Sequence, residues 1–140
     1  MSEQAFASGQ CLCGDVKFTI ASEPAMMGQC HCDDCRKSTG TGHASIAFFV
    51  KDNVKIDGKL STYTSKADNG AGIKRSFCPN CGSSLFAEST DRDGVIGVLV
   101  GAIDDNSWFK ANFRVYNKSK PAWDLMDDNI PAFEEMPPAA

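Results

Sequence analysis

Cys30-His31-Cys32-Asp33-Asp34-Cys35 places three thiols within six residues. Cys11-Leu12-Cys13-Gly14 and Cys78-Pro79-Asn80-Cys81-Gly82 each bring two more together. These stretches hold all seven cysteines of the chain. Seven is odd, so complete disulfide pairing would leave a thiol over. The N-terminus, Met1 to Gln10, has neither a basic start nor an apolar stretch, so no secretory signal is expected and a cytoplasmic location follows. In a reducing compartment, clustered cysteines more often bind metal or do chemistry than form disulfides.

The outer two clusters share a glycine directly after the second cysteine. A metal-binding knuckle turns sharply so that backbone N–H groups point at sulfur, and glycine accepts the positive φ such a turn can require. Two knuckles supply four thiolates, a full tetrahedral shell for Zn²⁺. Cys11, Cys13, Cys78 and Cys81 therefore read as one structural zinc site, with buried free cysteines as the bland alternative. Binding there would contribute folding free energy.

The middle cluster has no following glycine and no fourth cysteine to complete it. Three protein ligands with an open position is the usual pattern of catalytic zinc. Cys30, Cys32 and Cys35 thus read as a second zinc site, so two Zn²⁺ per chain are expected. The other reading is a second closed site completed by His31 or His43. A redox reading of Cys32 to Cys35 lacks the βαβ context it needs. Arg36 and Lys37 follow at once, where cations lower thiol pKa and could hold an anionic substrate; a solvated turn is the plain alternative.

Around the cysteines the chain reads as mainly β with little helix. Val16 to Ile20, Ala44 to Val50, Leu60 to Thr64, Ile73 to Phe77, Val95 to Val100 and Phe113 to Asn117 are short runs of strand character. Asp52-Asn53, Asp57-Gly58, Asp68-Asn69-Gly70 and Asp93-Gly94 read as turns. The best helix candidate is Asp33 to Thr39, closed by Gly40. The tail from Pro121 should wrap the domain through Trp123 and Phe133 and fray from about Pro137. Trp108, Phe109 and Trp123 read as core or tail anchors, and His43 as a strand or surface histidine.

With 140 residues, 42% of them apolar and 23% charged, the chain suits one globular domain over residues 1–140, with its core over about 9–136. No apolar run is long enough to span a membrane. The net charge of −4, made more negative by ionised thiols, and the lack of a basic stripe argue against nucleic acid as partner. No pattern in the sequence sets the oligomeric state.

CLCGDVKF, CHCDDCRKSTGTG and SFCPNCGSSLF, in that order, resemble the glutathione-dependent formaldehyde-activating enzyme family, which includes centromere protein V. The stretch SKPAWDLMDDNIPAFEEMP is similar to that family's C-terminal segment, and Arg114 stands near a position where many members carry histidine. The resemblance implies several small coiled antiparallel sheets in a tent-like zinc fold. It implies a structural zinc on the four knuckle cysteines and a catalytic zinc on the middle three. It also implies a carbon–sulfur lyase that adds glutathione, or a similar low-molecular-weight thiol, to formaldehyde or a related aldehyde. A non-catalytic, zinc-stabilised thiol-binding or scaffold module is the competing class.

Overall fold

The computed structural model describes residues 5–137. Its strands are β1 (Ala7–Gln10), β2 (Lys17–Ile20), β3 (Met26–Cys30), β4 (Ala44–Val50), β5 (Val54–Asp57), β6 (Ser61–Lys66), β7 (Gly72–Phe77), β8 (Ser84–Ser89), β9 (Val95–Leu99) and β10 (Phe113–Val115). One α-helix, α1 (Asp33–Thr39), follows β3. The chain is mainly β, as its patterning implies. The strands gather into two sheets, a three-stranded one in the order β1-β2-β5 and a seven-stranded one in the order β10-β3-β4-β9-β8-β7-β6. All neighbours are antiparallel except β10 and β3, which run parallel. No helix among the described residues is long and apolar enough to cross a membrane.

Alternation along the strands gives each sheet a buried face. Phe18 and Ile20 of β2 meet Ala47 and Phe49 of β4, Phe86 of β8, and Ile96 and Val98 of β9. The Phe18 and Phe86 rings meet edge-on with centroids 5.2 Å apart. Trp108 closes one end of this core, 5.1 Å from Phe6 and 6.4 Å from Phe49. Cys11 and Cys78 are core residues too, 2% and 0% exposed.

β1, β3, β5 and β8 do not announce themselves in the sequence. Met26-Met27-Gly28-Gln29-Cys30 does not alternate, and β8 sets its two large apolar residues, Leu85 and Phe86, side by side. The expected turns at Gly58, Gly70 and Gly94 are present, each with positive φ. The helix matches its expected span. Its N-cap is Cys32, whose sulfur accepts the Cys35 N–H at 3.3 Å. Gly40 ends it in the left-handed region at φ 76°.

The tail binds differently from expectation. Its backbone runs beside β10: Arg114 N–H donates to Pro131 O, Phe133 N–H to Arg114 O, and Asn117 N–H to Phe133 O. Phe133 is half-buried, but Trp123 is 68% exposed and anchors nothing. Its neighbour Asp124 is the buried residue, 8% exposed. A carboxylate with partners can be buried where a large ring without a pocket cannot. The fraying expected from about Pro137 falls on residues 138–140, outside the described residues.

Gly9 of β1 is closely packed between its strand partner Phe18 and the turn that follows β9. A Cβ there would lie 2.3 Å from Ala102 O and 2.4 Å from the Phe18 ring. Gly9→Ala is therefore expected to destabilise the protein by about 1–3 kcal/mol, measured by urea denaturation at equilibrium.

Candidate active site and metal centres

Two knuckles build the first sulfur cluster. After β1 the chain turns back so that Gly14 N–H donates to Cys11 O, with Gly14 at φ 84°. After β7, Gly82 N–H donates to Cys78 O, with Gly82 at φ 78°. N–H groups do point at sulfur: Val16 donates to Cys11 Sγ at 3.2 Å, and Asn80 and Cys81 to Cys78 Sγ at 3.4 Å. The four sulfurs of Cys11, Cys13, Cys78 and Cys81 lie within 4.8 Å of one another. Cys11 to Cys13 is 3.6 Å and Cys13 to Cys78 is 3.7 Å. A tetrahedral shell with metal–sulfur bonds of about 2.3 Å has edges of about 3.8 Å. The donor type and the spacing both fit a thiolate-bound metal ion.

The second cluster sits where β3 ends and α1 begins. Cys30 closes the strand, Cys32 caps the helix, and Cys35 lies in its first turn, 9% exposed. Their sulfurs also fall within 4.8 Å of one another, with no fourth protein donor in the group among the described residues. Ionisation is unevenly shared. Hydrogen bonds from Cys30 and Cys35 hold the Cys32 thiol far below its ordinary range. Cys30 is pushed up by its contacts with Cys32 and Cys35 and by burial. Cys35 is also raised: its hydrogen bond with Cys30 lowers it, but Cys32 and burial outweigh that. Three sulfurs this close hold one negative charge comfortably. Ionising all three calls for a cation between them.

The trio opens onto a cavity of about 470 Å³ over one face of the seven-stranded sheet. Cys30, Cys32, Cys35, Ser38 and Thr39 form one end of it. Phe48, Ile73, Phe77, Phe113 and Tyr116 are among its other walls.

A family model described as glutathione-dependent formaldehyde-activating enzyme matches residues 6–119. The chain belongs to this family. A curated relative, an uncharacterized lyase of Schizosaccharomyces pombe, is 26% identical over 83 residues. That match covers 59% of this chain and 58% of the relative, so the chain spans under two thirds of that protein's length. A crystal structure of a Rhodobacter sphaeroides protein superposes with a TM-score of 0.57 at 22% identity. It covers 74% of this chain and 96% of its own, and it shares the fold.

In this family member Arg36 and Lys37 do not line the cavity. Arg36 pairs with Asp33 at 3.3 Å across one turn of α1, and Lys37 is exposed. Both complement the C-terminal end of the short helix. Ser38 and Thr39 do line the cavity, but both hydroxyls donate to Cys35 O, at 3.3 and 2.7 Å. A cation that does line the cavity is Arg75 of β7, whose charge acts on Cys35. The sequence held a signal for it. In Ile73-Lys74-Arg75-Ser76-Phe77, alternation sets Arg75 on the same face as Ile73 and Phe77, a cation in an apolar row.

Behind the trio, on the opposite face of the sheet, lies a second polar group. His31 is fully buried, and its Nδ1 is 3.2 Å from Asp124 Oδ2, though neither ring nitrogen makes a hydrogen bond. Burial holds its pKa below the ordinary value. His43 Nδ1 lies 2.8 and 3.1 Å from the two Asp124 oxygens. Gly42 leaves no room beside them, since a Cβ there would sit 2.5 Å from the carboxylate. These three residues have donor atoms close enough for a metal. The 2.8 Å contact is nevertheless a direct hydrogen bond, shorter than the edge of about 3.3 Å in a tetrahedral nitrogen–oxygen shell. The buried guanidinium of Arg114 also acts on His31 and disfavours a further cation. The group is a clamp: Asp124 ties the tail to His43, with buried His31 packed beside the pair. A histidine between two cysteines and an acid in a distant tail share no sequence signal that pairs them.

Asp124→Ala removes the clamp and leaves the His43 imidazole without its carboxylate. It is expected to cost about 1–3 kcal/mol in urea denaturation, whereas Trp123→Ala next to it should stay within about 0.5 kcal/mol.

Proposed function

We propose that the protein is a zinc-dependent carbon–sulfur lyase-type enzyme that joins a low-molecular-weight thiol, glutathione or a similar one, to formaldehyde or a related aldehyde. The observation that carries this reading is a three-sulfur cluster, incomplete as a tetrahedral shell, opening onto a cavity walled by aromatic and aliphatic side chains. Membership of the family supports it, as does the description of the Schizosaccharomyces pombe relative as a lyase.

In this reading Cys11, Cys13, Cys78 and Cys81 hold a structural zinc, and Cys30, Cys32 and Cys35 hold a second. A zinc bound by three thiolates carries a net negative charge, which makes it a poor activator of water and suits it to holding a substrate thiol in its ionised form. The sulfur attacks the carbonyl carbon, a carbon–sulfur bond forms, and the π pair moves to oxygen. That oxygen then takes up a proton, so the thiol has added across C=O without oxidation or reduction. In the reverse direction the carbon–sulfur bond breaks and the aldehyde is released.

The side chains around the trio have separable tasks. The apolar walls keep water from competing at the carbonyl. Tyr116 lines the cavity near Cys30 and Cys32, and burial together with nearby negative charge raises its pKa and keeps its phenol protonated. It can donate to the oxygen on which charge develops. Its backbone is left-handed, φ 55°, and no other described non-glycine residue has positive φ. That strained conformation is the kind found where function fixes a side chain.

Cys32→Ser should abolish acceleration of the thiol–formaldehyde reaction yet keep the fold, because serine also caps a helix. Cys78→Ser should lower stability by several kcal/mol, since it opens the core-embedded site. Metal analysis with urea denaturation of both variants checks this division. Equal unfolding of the two would sink it. Tyr116→Phe should lower kcat by about 10²-fold with metal content unchanged, measured with glutathione and formaldehyde. Two bound metals with no acceleration by the wild-type protein would instead favour a zinc-stabilised binding module.

A further inference from the structure

One row of paired residues runs straight across five strands of the large sheet. Phe48 of β4 faces Gly97 of β9, Gly97 faces Ala87 of β8, Ala87 faces Arg75 of β7, and Arg75 faces Tyr63 of β6. All five line the cavity. The middle of the row is small and its ends are large, so it forms a slot with a flat floor. Phe48 is one wall, and Arg75 with Tyr63 is the other. The floor is close-packed: a Cβ on Gly97 would lie 2.8 Å from Ile46 Cγ2 and 3.2 Å from Ala87 O.

The floor of the slot is apolar, and the charged side chains around the cavity are Asp34, Asp68, Arg75, Glu88, Asp91 and Arg92. Arg92 is engaged with an aromatic ring, its guanidinium 5.3 Å from the centre of Phe48. Glu88 is matched by Lys51 and Lys74, and Asp91 accepts from Asn69. Arg75 donates to Ser65 Oγ at 3.0 Å and has no carboxylate within ion-pair distance among the described residues. A half-buried guanidinium with one neutral partner has donors to spare, in a fork that matches a carboxylate.

Glutathione carries two carboxylates, an ammonium and two peptide groups. Those of them seated over Gly97 and Ala87 against Phe48 would go without partners, at roughly 1–3 kcal/mol for each buried unsatisfied group. An apolar body costs nothing of this kind and gains from burial. Resting on the reading proposed above, we infer that the slot takes a thiol with a flat, aromatic-sized apolar body and a single carboxylate, and that Arg75 is the specificity residue that pairs with that carboxylate. The body lies over Gly97 and Ala87 with Phe48 beside it, and the sulfur reaches the trio at the end of the cavity. Formaldehyde adds at that sulfur as in the general reaction, forming a carbon–sulfur bond and a hydroxyl.

Binding and turnover test this separately on the metal-loaded full chain. Three probes without a thiol are titrated by calorimetry or NMR: 4-methylbenzoate, 4-methylbenzamide and acetate. The wild-type protein should bind the benzoate about tenfold or more tightly than either comparator, since the amide lacks the charge and acetate lacks the body. In Arg75→Gln the benzoate-to-amide ratio should fall to about one, and Arg75→Lys should restore part of it. Equal binding of benzoate and benzamide by the wild type overturns the inference. So does a preference that survives Arg75→Gln and vanishes on metal removal, which would place the carboxylate on the metal. Turnover is then compared for 4-(mercaptomethyl)benzoate and glutathione, each with formaldehyde, with the aromatic thiol expected to have the higher kcat/KM. Tight benzoate binding with neither thiol accelerated would sink the lyase reading and leave the binding slot standing. Acceleration of glutathione without benzoate binding would do the reverse.

Discussion

Four sulfurs from two distant segments share a volume in which neighbours stand 3.6 to 3.7 Å apart, and two of them belong to the hydrophobic core. Sulfurs at this spacing repel once ionised and leave weak, poorly matched contacts when protonated. A divalent cation would turn that arrangement from a cost into a bond network. The consequence spreads outward. Cys11 fixes the end of β1 and Cys78 the end of β7, so the small sheet and the large one are joined at one point. Phe18 meets Phe86 beside that junction, and the remaining core layers follow from the same registration of the two sheets.

The large sheet then divides labour between its faces. One face carries Ala47, Phe49, Phe86 and Val98 into the core. The other carries Cys30, Phe48, Arg75 and Phe113 into the cavity. Because side chains alternate along β4 and β9, these strands serve both purposes. At the end of β3 this places Cys30 toward the cavity and Gln29 toward the clamp of His43 and Asp124. The open sulfur site is therefore supported from behind by a tail that never enters the cavity at that point.

Much of this was legible in the cysteines. Close pairs followed by Gly14 and Gly82 forecast both knuckle turns, and the trio's lack of a following glycine set it apart. The helix was legible too, because acidic residues, a glycine stop and a capping position all agree at Asp33 to Gly40. What stayed hidden depended on partners far away in sequence. β8 was obscured because Leu85 and Phe86 both bury on leaving the knuckle. Arg36 and Lys37 drew attention by proximity along the chain, yet neither lines the cavity, into which Arg75 arrives from β7. Trp123 drew attention by size, whereas Asp124 beside it does the anchoring. In each case the deciding fact is a contact across the sheet, which neither composition nor spacing encodes.

The parallel pairing of β10 on β3 has a consequence for how the chain comes into being. During synthesis β3, α1 and β4 emerge early, but the strand that covers the outer edge of β3 begins at Phe113. The backbone that in turn flanks β10 lies near Ala132, close to the end of the chain. Until then the nascent protein presents an unpaired strand edge ending in three exposed thiols, open to wrong strand partners and to oxidation. Long-range pairing of this sort is slow to form. The interval between translating Cys35 and Phe113 is thus the protein's most vulnerable period, and early capture of a metal ion by the trio would shield the thiols through it.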